Sequence, residues 1–175
     1  MKKKQALIFL VWTLNFLGLN FPAASANLEI YSPIDYLFEF TNSPDDLSNF
    51  MKRNFKFTED ETLFGEIDYW QSPEEFYSRK KGDCEDYALF AQYVLARLNM
   101  ESYVVSIYAA NGYAHTLLIY REGGRYQVLN EDRLIRYNAS SLEDAIGQVN
   151  SDWSWAAIAR RQDTRGFALQ TFFNL

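Results

Sequence analysis

Two hydrophobic periods divide the chain. Between residues 43 and 99 apolar side chains recur every three or four positions. From residue 103 to 159 they crowd into short β-branched and aromatic runs separated by glycine-bearing turns. Ser43-Pro44-Asp45-Asp46 supplies a capping hydroxyl, a proline whose missing N–H does no harm in a first turn, and two acids beside the positive helix end; it predicts a short helix through about Lys52. Ser72-Pro73-Glu74-Glu75 repeats the device, with Ser and Glu at capping-box spacing, and predicts a helix through Phe76 and Tyr77 that ends near Gly82. Asp83 then caps a third helix. Ala88, Leu89, Ala91, Val94, Leu95 and Leu98 share one face of it, so it should be central and buried along that stripe, ending near Asn99.

The second half predicts strands at residues 103–108, 114–120 and 126–130, joined by turns at Asn111-Gly112 and Gly123-Gly124, an antiparallel meander. Ser140 or Ser141 caps a short helix over residues 142–149, and residues 153–159 read as a further strand. Trp70, Trp153 and Trp155 read as core or sheet packing rather than substrate stacking. Helices first and strands later give an α+β domain, with the helix at Cys84 packed on an antiparallel sheet.

The first 26 residues stand apart. Lys2, Lys3 and Lys4 precede a nearly continuous apolar run over residues 6–21, Pro22 interrupts it, and Ala24-Ser25-Ala26 has the small-x-small form of a signal-peptidase site. The expectation is a signal peptide over residues 1–26 and a single exported domain over residues 27–175, periplasmic or secreted, with no membrane contact once the leader is removed. The competing reading, an uncleaved anchor, suits the run poorly because it is short and interrupted by polar residues. Removing the leader leaves 14 basic against 23 acidic residues. Such a surface repels nucleic acid and anionic lipid, and suits a cation or a basic or neutral protein substrate.

Cys84 is the only cysteine and His115 the only histidine. A lone thiol in an exported chain cannot close an internal disulfide, which marks it as reactive or as an intermolecular bridge. In the first turn of a helix, unpaired N–H groups favour a thiolate and can hold an oxyanion. Asp83, Glu85 and Asp86 oppose this, since nearby negative charge disfavours the thiolate. Serving as caps, binding a divalent cation, or leaving activation to His115 would each resolve the conflict. The orienting third group follows from strand parity: a Gly123-Gly124 turn puts His115 opposite Asp132, and a Glu122-Gly123 turn puts it opposite Asn130. Both residues share its face, and Glu131 points away.

Trp70-Gln71-Ser72-Pro73-Glu74-Glu75-Phe76-Tyr77 and Lys81-Gly82-Asp83-Cys84-Glu85-Asp86-Tyr87-Ala88 resemble the bacterial transglutaminase-like cysteine proteinases, members of the transglutaminase-like superfamily with a papain-like core. The similarity spans residues 64–135, and Gly-Asp-Cys-Glu-Asp is its most specific part. It implies a Cys–His–Asp triad, with the cysteine on a helix start and its partners on adjacent strands. Cys84 and His115 match directly, and the family's acid position falls on Asn130. The resemblance implies a cysteine peptidase acting on protein or peptide amides. The alternatives are amine acyl transfer by the same groups and a catalytically idle binding or assembly module. Some relatives need calcium held by acids around the cysteine, which makes Asp83, Glu85 and Asp86 calcium candidates by similarity.

Overall fold

The computed structural model describes residues 33–163 and 166–173, with side chains from residue 34 to 158. Residues 1–26, the expected signal peptide, lie outside the described residues. A 3-10 helix over Pro33–Glu39 precedes α1 (Pro44–Asn54), β1 (Lys56–Phe57), α2 (Asp60–Phe64), α3 (Pro73–Arg79), β2 (Lys81–Gly82) and α4 (Cys84–Arg97). Then come β3 (Ser102–Ala109), β4 (Ala114–Glu122), β5 (Arg125–Asn130), β6 (Arg133–Ala139), α5 (Leu142–Val149), β7 (Trp153–Asp163) and β8 (Gly166–Phe173). Six antiparallel strands form one sheet in the order β6-β5-β4-β3-β7-β8, while β1 and β2 pair in parallel as a separate ribbon. The α+β expectation holds, with Cys84 opening the helix that packs on the sheet. No helix of the described residues is long and apolar enough to cross a membrane.

Both faces of the sheet are covered, which is why residues 103–107 of β3 and 116–120 of β4 are buried without a break instead of alternating. Val104, Leu118, Tyr120 and Leu129 meet Ala88, Ala91 and Leu95 of α4 on one face. Val105, Leu117, Ile119 and Val128 meet Ala145 and Ile146 of α5 and Trp153 on the other. An aromatic knot joins α1, α3 and α4: Phe55 lies 4.5 Å from Phe76 and 4.9 Å from Phe90 in edge-on geometry. Each fully buried large side chain of this kind is worth about 1.5–3 kcal/mol.

Ser43, Ser72 and Ser141 each accept a hydrogen bond from the backbone amide three residues on, as N-caps do. The helix that Ser72 opens ends sooner than its pattern suggests. α3 stops at Arg79, Lys80 turns left-handed with φ 62°, and residues 81–82 leave the helix to pair with β1. The amides of Lys56 and Thr58 donate to the carbonyls of Lys80 and Gly82 at 3.0 and 2.8 Å. The tryptophan expectation needs correction at one position. Trp153 is buried and Trp155 stacks on Tyr108 at 3.8 Å, but Trp70 is 45% exposed and packs in no core, because it belongs to the irregular segment between α2 and α3.

Candidate active site

Asp83 caps α4 with extended backbone, so Cys84 is the first residue of the helix. Asp86 stabilises this start. Its Oδ2 accepts from the Asp83 amide at 3.3 Å, and its Oδ1 accepts from the Gln71 amide at 2.8 Å. The Gln71 side chain donates to Asp86 Oδ2 and, at 3.0 Å, to the carbonyl of Lys81. Asp86 and Gln71 are buried, and Gly82 sits directly against them. This clamp fixes three things together: the beginning of α4, the end of the 65–71 segment, and β2.

The thiol is partly buried and meets two groups. Cys84 Sγ donates to Glu85 Oε2 at 3.2 Å, and the backbone amide of Thr116 is aimed at the sulfur. Burial raises the thiol above its ordinary pKa, against the opposing pull of the Thr116 amide. Thr116 turns its hydroxyl to Ser106, 2.8 Å away. It lies on β4 immediately after His115.

The imidazole is held from the neighbouring strand. His115 Nε2 lies 2.7 Å from Asn130 Oδ1, and the Tyr113 ring is 6.1 Å from the imidazole. The register explains why Asn130 takes this role. Gly123 and Gly124 form the turn, with φ 59° and 79°, so the count places His115 opposite residue 132. However, β5 ends at Asn130, which already pairs with Arg133, and Glu131 (φ 52°) and Asp132 turn the chain into β6. Asp132 therefore presents its carbonyl to Ser48 Oγ at 2.6 Å, and the diagonal neighbour Asn130 meets the ring. By the two-residue repeat, His115 and Asn130 share the face of Leu117, Ile119 and Val128, whereas Thr116 shares the α4 face with Leu118. Thiol and imidazole thus reach β4 at consecutive residues. In the described structure the thiol's hydrogen bond goes to Glu85 and the ring's goes to Asn130.

The acids beside Cys84 divide. Asp83 and Glu85 gather with Asp60, one oxygen from each lying within 4.8 Å of the others, and all three are buried. Asp60 comes from α2, and its Oδ2 accepts the Tyr69 amide. Its Oδ1 and Asp83 Oδ1 are buried without a hydrogen-bond partner. Burial, then the hydrogen bond and negative charge of Glu85, push the Asp83 carboxyl up to about 8, and burial raises Glu85 as well. The two carboxyl groups act on each other across this short gap, so the site favours retention of a proton on the pair while no cation is bound. Hard carboxylate oxygens with orphaned acceptors fit a divalent cation such as calcium. Asp86 is not in this cluster, because both its oxygens serve the clamp. Asp60 had no signal in the sequence beyond being one of three consecutive acids, Glu59-Asp60-Glu61; the solvated reading of such a run fits its two exposed neighbours.

A family model described as a transglutaminase-like domain matches residues 20–144. LapG of Legionella pneumophila in its calcium-bound form is similar in structure, with a TM-score of 0.51 and 17% identity, over 76% of this chain and 73% of that one. The EGTA-treated LapG structure gives 0.49 and 17% over 75% and 76%. A Cytophaga hutchinsonii protein provisionally described as a cysteine protease gives 0.44 and 13% over 80% of this chain and 48% of its own. No curated protein matches the sequence.

Proposed function

This chain belongs to the transglutaminase-like domain family, and on that premise we propose that it is an exported thiol peptidase with Cys84 as nucleophile, His115 as base and Asn130 as the residue that orients the base. The observation that carries the reading is the 2.7 Å contact between His115 Nε2 and Asn130 Oδ1. An amide oxygen only accepts, so Nε2 is the nitrogen that bears hydrogen, and Nδ1 keeps its lone pair for a thiol proton. Asn130 fixes the tautomer without adding charge.

The reaction requires the thiol and the imidazole, which the described structure holds on separate partners, to come together at the end of β4. The Cys84 thiol then leaves Glu85 and gives its proton to His115 Nδ1 as sulfur bonds to the substrate carbonyl carbon. The Cys84 backbone N–H, first in α4, stabilises the oxyanion. The C–N bond breaks, His115 returns the proton to the leaving amine, and a thioester remains. Water, deprotonated by His115, attacks the thioester, releasing the acid and restoring the thiol. An amine in place of water would give acyl transfer by the same steps.

Asp60, Asp83 and Glu85 would hold a calcium ion; the similar LapG structure is a calcium-bound one. The ion would supply positive charge that offsets these carboxylates and favours the thiolate. Glu85, once engaged there, would no longer accept from the thiol.

The second reading, an idle binding module, draws on the same 3.2 Å contact of Cys84 with Glu85, which keeps the thiol protonated. Iodoacetamide separates the two. A peptidase shows calcium-stimulated alkylation of Cys84 faster than a model thiol, slowed by His115→Ala and Asn130→Ala. A thiol that resists alkylation in the folded protein with and without calcium, or one indifferent to His115→Ala, removes the peptidase reading.

A further inference from the structure

The segment between α2 and α3 carries the most exposed apolar side chains near the site. Ile67 is 96% exposed and Trp70 45%. The segment is anchored at two points, the Tyr69 amide on Asp60 and the Gln71 amide on Asp86 at 2.8 Å, so its position is tied to the residues flanking Cys84. Tyr69 itself is built in, with its ring 4.5 Å from Phe64 and its hydroxyl 3.3 Å from Glu75. The Trp70 indole donates to Asp68 Oδ1 at 2.9 Å, which orients the ring without covering it. Tyr113 stands beside His115, near enough to Cys84 for a thiolate's charge to act on its phenol.

Charge says what such a surface takes. No Lys or Arg occurs between Lys56 and Arg79, and Glu66 and Asp68, on either side of Ile67, are exposed. Arg79 also reaches the segment, but it is spent on Gln71 Oε1 at 3.2 Å and on Glu75 at 3.0 Å. Glu66 and Asp68 are the exposed charges beside Ile67 and Trp70, and an apolar ridge with that edge, anchored beside the thiol helix, is complementary to a chain that offers an aromatic or aliphatic side chain beside a Lys or Arg. We infer that the 65–71 segment is a substrate-recognition ridge. Trp70 packs against an apolar substrate side chain, and Glu66 with Asp68 selects a basic residue next to it. This rests on the peptidase reading for its orientation toward Cys84, and it names the substrate class: basic, apolar stretches of protein chain.

The test uses the whole chain carrying Cys84→Ala, so that binding is read without chemistry. Its probes are synthetic peptides of one sequence around a single Phe, flanked by two Lys, two Gln or two Glu. The Lys peptide should bind about tenfold more tightly than the Glu peptide at low salt, with the gap closing as salt rises. Glu66→Gln with Asp68→Asn should abolish the Lys preference and leave the Gln peptide unchanged, since the amide oxygen introduced at position 68 can still accept from the indole. Trp70→Ala should weaken all three peptides, and Trp70→Phe should restore part of the loss. A Glu peptide that binds as well as the Lys peptide overturns the inference, as does a preference that survives the double substitution. Charge preference without Cys84 alkylation would sink the peptidase reading and keep the ridge. Alkylation and turnover without the preference would sink the ridge alone.

Discussion

Gly82→Ala tests the clamp that places Cys84. The backbone at Gly82 is open to any residue, so the substitution acts through contact alone. A Cβ built there would lie 2.1 Å from Asp86 Oδ2 and 2.6 Å from Gln71 Nε2. Carbon and oxygen pack no closer than about 3.2 Å, so the carboxylate must retreat by about 1 Å. That retreat breaks its bonds from the Gln71 side chain and the Asp83 amide, while Asp86 stays buried with 0% exposure. A hydrogen bond to a charged group is worth about 1.5–3 kcal/mol, and more when its loss strands a buried group. The stiffer unfolded chain returns about 0.4–1 kcal/mol. The expected net loss is about 1.5–3 kcal/mol, or roughly 5–10 °C in Tm for a domain of this size. Urea denaturation with unchanged m-value measures it. A loss below about 0.5 kcal/mol would refute the clamp as the reason this position is glycine. Gly147→Ala provides the opposite sign in the same assay. Its Cβ would find only Trp153 Nε1 at 3.8 Å in the middle of α5, so it should stabilise by about 0.5–1 kcal/mol.

Three further outcomes follow from the acids and the thiol. Asp83 in the folded chain keeps its proton up to about 8, while an unfolded aspartate loses it near 3.8. Its stabilising effect is therefore complete below pH 4 and is lost as pH rises through 8, with a slope of at most about 1.4 kcal/mol per pH unit. Calcium-free protein should melt at a lower temperature at about pH 8.5 than at about pH 5.5, and Asp83→Asn should flatten that dependence; a flat wild-type profile would contradict the buried carboxyl pair. Without calcium, alkylation of Cys84 should rise with pH only above the range of an ordinary thiol, because burial holds its pKa up; Glu85→Gln should alter that profile, and an ordinary profile would refute the burial argument. Calcium titration should raise Tm in the wild type and fail to do so in Asp60→Asn, read by calorimetry; an equal rise in both would exclude Asp60 as a ligand.

Local chemistry made much of this fold legible. The three serine caps fix helix starts because each needs only a hydroxyl and the amide three residues on. The Gly123-Gly124 turn fixes the β4–β5 register because positive φ at both positions is what a tight hairpin requires. Long-range competition was less legible. Residues 81–82 left a helical pattern because β1, 25 positions upstream, offered a ladder. β6 carries little signal of its own, because Arg133-Leu134-Ile135-Arg136-Tyr137 alternates weakly. Yet β5 ends at Asn130 where β6 begins to pair with it, and so Asn130 is the residue that contacts His115. Parity could offer Asn130 and Asp132 equally, since both share a face with His115. The turn at Glu131, invisible to parity, separates them.

The acids beside the thiol also part company only in space. Read along the chain, Asp83, Glu85 and Asp86 carry one charge each and look alike. In space their burdens differ, because helical geometry sends them in different directions from one turn. Asp86 looks back over the helix start and is consumed by backbone and Gln71 donors, so its charge is already answered. Glu85 reaches the thiol, and Asp83 turns toward Asp60, where two carboxylate oxygens are left without donors. Burying acceptors in this way is costly unless something positive meets them. In its absence the pair answers by holding a proton, and Glu85 then keeps the thiol protonated too. The conflict between acids and thiolate seen in the sequence is thus confined to Asp83 and Glu85. Whatever neutralises Asp60, Asp83 and Glu85 also decides whether Cys84 is free to turn toward His115.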